Sequence, residues 1–282
     1  MYTALKTAVL AEKIDWIAYS QGLNLEWGFP DYIDNHWKTI KPTKYYNHAE
    51  ENKQGVKRQW NTENVKQGRS VTLAGVASGT LQGNQLDFLQ WVNTSERKAT
   101  RIDFAIDITH SKFTPKMVRE HLLRGEAVTH AQSAPRYDDT LKGGFTQYVG
   151  KKSSETYTRI YDKAVEQKVG FQWTRVETVY QGERAAPALS AFLSCGSTRP
   201  LIKRHIDFPN WRDWQAIMSD NVAQFTTPTH ETATRAWLLS QVATALAKEL
   251  HRDDDHSFWF EFQNRVGEEL YRIEGKDAKI VL

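Results

Sequence analysis

Between Arg101 and Thr109 the chain reads RIDFAIDIT. In this strict alternation Ile102, Phe104, Ile106 and Ile108 form one row and Arg101, Asp103, Ala105 and Asp107 the other. Successive side chains of a strand point to opposite faces, so the spacing predicts a strand with an apolar face against a core and a second face that presents charge. A slip of one residue would turn every apolar side chain toward water, which pins the register. The two aspartates lie about 13 Å apart along a strand of ordinary rise. They cannot both ligate one metal ion unless the strand bends or one acts through another ligand. On residue types alone the row reads equally well as an exposed face on which Arg101 balances Asp103.

A second tract with this character runs from Gly143 to Gln181. Phe145 to Gly150 and Tyr157 to Lys163 read as two strands joined by the polar turn Lys151 to Glu155, a β-hairpin, and Gln172 to Tyr180 reads as a further strand. By alternation Arg159, Tyr161 and Lys163 share one face of the middle strand, with Thr158, Ile160 and Asp162 on the other. Trp173, Arg175 and Glu177 line up in the same way on the next. A phenol flanked by cations and near an acid could hold a phosphodiester and attack it. An edge-strand tyrosine is the commoner explanation of such a residue taken alone. Tyr157, four residues earlier, falls on the same face as Tyr161 and is a rival nucleophile.

Elsewhere the patterning is mixed. Lys13 to Ser20 alternates as an early strand, and Val56 to Asn61 with Ser70 to Ala77 reads as a strand pair. Gln21 to Lys53 reads as loops with one short helix near Asp31 to Thr39. Helical spacing predicts a helix from about Gln85 to Thr94 after Asn84, and Thr114 followed by Pro115 opens another that ends before Gly125. Arg184 to Cys195 reads as helical with Gly196 as its stop, and Cys195 as a core residue. Residues 207 to 230 read as irregular. Thr232 to His251 and Ser257 to Tyr271 carry apolar stripes of helical period. The expected fold is therefore α+β over residues 1 to 195. A helical C-terminal part over 196 to 282 would follow it.

Composition narrows the chemistry. A single cysteine excludes an internal disulfide, and the lack of a Cys/His cluster of zinc spacing fits a reducing cytoplasm. No apolar run is long enough to span a bilayer, and the charges of MYTALKTAVLAEKIDW crowd too closely for a signal peptide, so no membrane partner is expected. A formal charge of +3 permits a nucleic-acid partner through a local basic face without demanding one. There is no G-x-S-x-G, Walker A or G-x-G-x-x-G sequence, which leaves serine hydrolase, ATP and dinucleotide chemistry without support. Hard carboxylate oxygens suit magnesium or manganese, and no His-x-His pair is present to offer two imidazoles on one strand face.

Taken together and in order, TRIDFAID, GFTQYVGKKSS, TRIYDKAVEQ and WTRVE resemble the replication initiation factor family, Rep_trans. That family contains initiators of rolling-circle plasmids, related initiators of filamentous phages and relaxases of some integrative conjugative elements. The block spans about Thr100 to Gln181, and SVTLAGVASGTLQG before it is similar to the family's approach. The C-terminal hundred residues offer no comparable match.

The resemblance implies a central antiparallel sheet backed by helices, with the helical C-terminal part packed on it or contacting DNA, and a metal-dependent endonuclease that nicks one strand at an origin. Tyr161 would become joined to the 5′-phosphate and leave a free 3′-OH. It further implies Asp103 and Glu177 as ligands of Mg2+ or Mn2+, with Asp107 as a third candidate. Arg159, Lys163 and Arg175 would be phosphate-contacting or transition-state groups, and Tyr148 with the turn lysines Lys151 and Lys152 would be DNA contacts. The implied partners are single-stranded or supercoiled origin DNA, a host helicase and polymerase, and a second copy of the chain. A mobilisation relaxase, or a binding module that keeps the sheet and has lost cleavage, are the competing readings.

Overall fold

The computed structural model describes residues 9–22, 26–62, 68–75, 81, 83–109, 113–140, 144–219, 258–259 and 261–266. Two compact units divide the chain, one of residues 1–168 and 172–227 and one of residues 169–171 and 228–282. In the second unit, positions 258–259 and 261–266 are helical, and the ring of Phe262 stacks on those of Phe258 and Trp259. The expected helix over Thr232 to His251 lies outside the described residues, as does the end of the one expected over Ser257 to Tyr271.

The first unit is built on antiparallel strands: β1 (Val9–Gln21), β2 (Trp37–Thr39), β3 (His48–Asn52), β4 (Lys57–Trp60), β5 (Arg69–Ala74), β6 (Arg97–Thr109), β7 (Val128–Thr129), β8 (Arg136–Thr140), β9 (Gly144–Val149), β10 (Thr156–Asp162), β11 (Trp173–Gln181) and β12 (Ile206–Asp207). Ten of them form one sheet in the order β2-β3-β4-β5-β1-β6-β11-β10-β9-β8, and β12 pairs with β7 in a small second sheet. The thirteen-residue β6 lies between β1 and β11. Its apolar row is buried as expected, and so is the row that carries Asp103 and Asp107.

Helices α1 (Gln85–Val92), α2 (Pro115–Leu123), α3 (Lys163–Gln167), α4 (Ala185–Cys195), α5 (Arg199–His205) and α6 (Arg212–Met218) complete the unit. Those that cover the sheet meet the face that carries Phe104, Thr158, Thr174, Thr178 and Tyr180. Phe192 of α4 stacks on Phe104, the Tyr180 hydroxyl donates to the Leu201 carbonyl of α5 at 2.5 Å, and His205 Nδ1 lies 2.8 Å from Thr158 Oγ1. Thr174 Oγ1 donates to the carbonyl of Phe113, whose ring stacks on Trp211 just before α6. The α+β expectation, a central antiparallel sheet backed by helices, holds.

Thr114 caps α2: its backbone is extended and its hydroxyl accepts the Met117 N–H at 3.3 Å, with Pro115 supplying a preset φ in the first turn. Thr114→Ala is expected to lower stability by about 1 kcal/mol, measured as the shift in a denaturant midpoint.

Several local expectations are corrected. No helix forms near Asp31 to Thr39; that stretch is a turn, with Ile33 N–H bonded to the Pro30 carbonyl, followed by β2 paired to β3. Trp37, a residue that favours strands, starts the pairing opposite Asn52. Residues 212–218, read as irregular, form α6, because Trp214, Ile217 and Met218 at i, i+3 and i+4 make a buried stripe. Residues 199–205, in the part expected to be helical, do form a helix, α5, with Pro200 in its first turn. Cys195 is exposed at the end of α4 and is not core. Lys163 is not a strand residue: Asp162 accepts the Val165 N–H, ends β10 and starts α3 at Lys163.

Candidate active site

The pairing register turns separate sequence phrases into rows across one face of the sheet. One row runs Tyr148, Arg159, Glu177, Ala105 and Lys13 through β9, β10, β11, β6 and β1. The next runs Thr146, Tyr161, Arg175 and Asp107. A third holds Tyr157, Val179, Asp103 and Trp16. Opposed residues on neighbouring strands share a face, so Asp103, Asp107, Arg159, Tyr161, Arg175, Glu177 and Tyr157 all stand on the face opposite the helices.

The carboxylates here are buried and paired. Glu177 is 0% exposed; its Oε1 accepts Arg159 Nε at 2.7 Å and its Oε2 accepts the Tyr161 hydroxyl at 3.3 Å. Asp103, at 1% exposure, takes both of its bonds from Arg101, at 2.8 and 2.7 Å. Asp107 receives Arg175 Nε at 2.6 Å and Nη2 at 2.8 Å, and Arg175, itself 1% exposed, reaches Asp15 Oδ1 with Nη1 at 2.9 Å. Lys13 Nζ bridges Asp15 and Asp107 at 3.3 and 3.4 Å. Two-toothed guanidinium–carboxylate contacts of this kind fix geometry as well as charge.

The pairing sets the protonation states. Burial pushes the Glu177 carboxyl up to about 7; Arg159 opposes the rise and the nearby Asp103 carboxylate adds to it. Burial likewise raises Asp103 against the pull of Arg101 and Arg159. Burial and then the Glu177 carboxylate hold the Tyr161 phenol well above its ordinary value, so the free protein carries it protonated. Burial also raises Tyr157, here against Arg101 and Arg159. Burial alone would raise Asp15, but Arg175 and Lys13 leave its carboxyl below the ordinary range.

Arg159 sits 5.1 Å from the centroid of the Tyr161 ring and Lys163 Nζ 5.7 Å from it. Lys163 thus joins the site from the first residue of α3, where its Nζ also pairs with Glu166 at 2.6 Å. Lys151 and Lys152 are exposed in the β9–β10 turn, and Tyr148 lies on the site face at its base. That turn starts at Gly150, whose φ of +87° suits glycine and whose added Cβ would meet the Thr156 carbonyl and the Tyr157 Cβ, each at 3.2 Å.

Two participants were not singled out in the sequence. Asp15 and Lys13 belong to β1, where a register shift between Ile14 and Trp16 leaves Asp15 without a register partner on β6. Such bulges re-aim side chains, and this one accompanies the contact of Asp15 with Arg175. The available signal was a lysine and an aspartate on either side of Ile14 in the strand.

Among the described residues no group of three acidic, histidine or cysteine side chains is arranged to hold a metal ion. The donor chemistry nevertheless suits a hard divalent cation at Asp103 and Glu177: burial raises both carboxyls, and the Asp103 carboxylate raises Glu177 further. Around the site Arg101, Arg159, Arg175, Lys13 and Lys163 stand against Asp15, Asp103, Asp107, Glu177 and Glu166. A face balanced in this way has little surplus charge for a phosphodiester.

A profile described as replication initiation factor, Rep_trans, matches residues 97–258, more than half of the chain, and the chain belongs to that family. It is 30% identical over 120 residues to the putative DNA relaxase NicK of Bacillus subtilis (strain 168), a match that covers 38% of this chain and 34% of that protein. The chain thus spans about a third of the length of that curated relative. The solved structure of a rolling circle replication initiator protein from Geobacillus stearothermophilus has a similar fold, with a TM-score of 0.57 and 18% identity, over 71% of this chain and 86% of that one. Among the described residues no helix is long and apolar enough to cross a membrane.

Proposed function

We propose that this chain is a rolling-circle replication initiator that nicks one DNA strand at an origin, with Tyr161 as the nucleophile. The observation that carries the reading is the Tyr161 hydroxyl, bonded at 3.3 Å to Glu177 Oε2 on a rigid sheet face with Arg159 and Lys163 around its ring. In the step proposed, Tyr161 Oη forms a bond to phosphorus as the P–O3′ bond breaks. The phenol proton leaves toward the Glu177 oxygen it already bonds, and the departing 3′ oxygen takes up a proton from solvent to become the 3′-OH primer. The 5′-phosphate stays on the tyrosine. Arg159 and Lys163 offset the charge that develops on the phenolic oxygen, and Arg175, anchored by Asp107 and Asp15, keeps the adjoining strand in place. Mg2+ or Mn2+ held by Asp103 and Glu177 would polarise the phosphate. Asp107, both of whose oxygens face Arg175, is assigned to anchoring that arginine.

Lys151, Lys152 and Tyr148 would lie along the DNA, and a host polymerase and helicase would take over at the freed 3′ end in the cytoplasm. The helical C-terminal part and a second copy of the chain are further candidates for origin contacts. The similarity to a DNA relaxase favours, as a second reading, the same cleavage used in mobilisation. The test is covalent capture on single-stranded oligonucleotides tiled across the DNA that flanks the chain's own gene, with Mn2+ present. A protein–DNA adduct is expected. Binding without an adduct on any tile would favour a non-catalytic module.

The raised Glu177 carboxyl makes cation binding depend on pH. Below about 7 the free site is protonated, and a cation must displace that proton. Mn2+ affinity, read by calorimetry, is therefore expected to rise by up to about tenfold per pH unit between about pH 5 and pH 7 and then level off. A flat profile would remove Glu177 from the ligand set. The same shift has a sign for folding. The folded state holds the proton more tightly than the unfolded chain, so without metal the contribution of this group to stability is present at low pH and lost as pH rises through about 7.

A further inference from the structure

The row that contains Arg159 and Glu177 continues past the candidate nucleophile to the edge of the sheet. Arg159 is opposite Tyr148 on β9, and Tyr148 is opposite Arg136 on β8, the last strand. Two cations are mounted on the Tyr148 ring, the Arg136 guanidinium 4.6 Å and Lys152 Nζ 4.8 Å from its centroid. Tyr148 is buried, so the mount is rigid, while Arg136 is 59% exposed in its side chain and Lys152 is exposed. Gln181 holds the turn that carries Lys152, donating from Nε2 to the Lys152 and Ser154 carbonyls at 2.9 and 2.7 Å. Arg136 pairs with Asp138 at 2.8 Å, an exposed pair that contributes little and opens readily. Among the described residues no carboxylate pairs with Lys152.

We propose that Arg136 and Lys152, fixed on Tyr148, form a phosphate-binding track for the single DNA strand that flanks the scissile phosphate, leading it from Tyr161 to the β8 edge. The proposal deepens the reading of Tyr161 as nucleophile and rests on it. Tyr148 is a diagonal neighbour of Tyr161, about 7–8 Å away, which is about one phosphate-to-phosphate step along a single extended backbone. The track is one side chain wide and crosses the strands at their spacing of about 4.8 Å. That follows one backbone, whereas a duplex would present two across a groove of about 6 or 12 Å.

The opposite face of the same two strands supplies an internal control. There Lys116 and Arg119 of α2 sit over the rings of Phe145 and Tyr137 at 3.8 and 4.4 Å, equal in charge but remote from Tyr161. All four cations are exposed, so both double substitutions should leave the fold intact. The full chain is titrated with a fluorescent oligothymidylate over a range of salt. Arg136→Ala with Lys152→Ala is expected to weaken binding about tenfold at low salt. It should also flatten the dependence of log affinity on log salt by about 1.4, two single-strand phosphate contacts at about 0.7 each. Lys116→Ala with Arg119→Ala should change neither. Equal losses from the two pairs, or none from the first, would overturn the track.

Failure of the nicking reading shows elsewhere. If the wild type forms no Tyr161 adduct while only the first pair loses affinity, cleavage falls and the track stands as a binding surface. If the adduct forms and the first pair binds normally, the track alone falls.

Discussion

Tyr161→Phe is expected to abolish the covalent protein–DNA adduct, a loss of at least about 10³-fold in cleavage, while single-stranded DNA binding changes little. The variant removes one oxygen from a ring that is otherwise kept, with its flanking cations Arg159 and Lys163. It leaves the Glu177 carboxyl without its phenolic donor, but that group keeps Arg159. The fold should therefore survive, and denaturant melts run beside the adduct assay would show it. Tyr157→Phe is the discriminating partner, because Tyr157 shares the face. The hydroxyl of Tyr161 bonds Glu177, so the adduct should persist in Tyr157→Phe; an adduct lost there and retained in Tyr161→Phe would reverse the assignment.

The second large effect is on stability. Asp107→Ala should lower unfolding free energy by about 3–5 kcal/mol, measured by denaturant titration. Asp107 holds Arg175 by two bonds, and Arg175 is buried at the centre of β11 between β6 and β10. Removing the carboxylate leaves a buried guanidinium with Asp15 as its remaining acidic contact, and an uncompensated buried charge is far costlier than a lost surface pair. Asp107→Leu combined with Arg175→Met should regain much of that loss, since apolar packing can replace a buried ion pair, yet it should impair cleavage if Arg175 positions the strand. A loss below about 1 kcal/mol in Asp107→Ala would mean that water or Asp15 compensates Arg175.

The strands that carry the site were legible because alternation is a local signal. RIDFAIDIT, TYTRIYD and WTRVETVYQ announced themselves by period, and Gly150 with the polar turn after it marked the hairpin. The same signal misled at Lys163, since alternation continues on paper past Asp162 while that side chain caps a helix. It was silent about Asp15, because a bulge has no period. It also missed α6, whose stripe of Trp214, Ile217 and Met218 is short and sits among tryptophans and prolines. The burial of both aspartates on β6 was likewise out of reach: their row read equally well as an open face, and it is closed by arginines from β11 and from β6 itself.

By itself the sequence determined the strands, their faces and the family resemblance, since each depends on residues near one another in the chain. Tertiary structure alone decided which residues of different strands meet. Pairing β11 between β6 and β10 places Arg175 on Asp107 and Glu177 on Arg159, and the bulge in β1 lets Asp15 reach the same arginine. Those contacts hold residues as far apart in the chain as Asp15 and Arg175 together. They depend on sheet order and register, which no local period encodes.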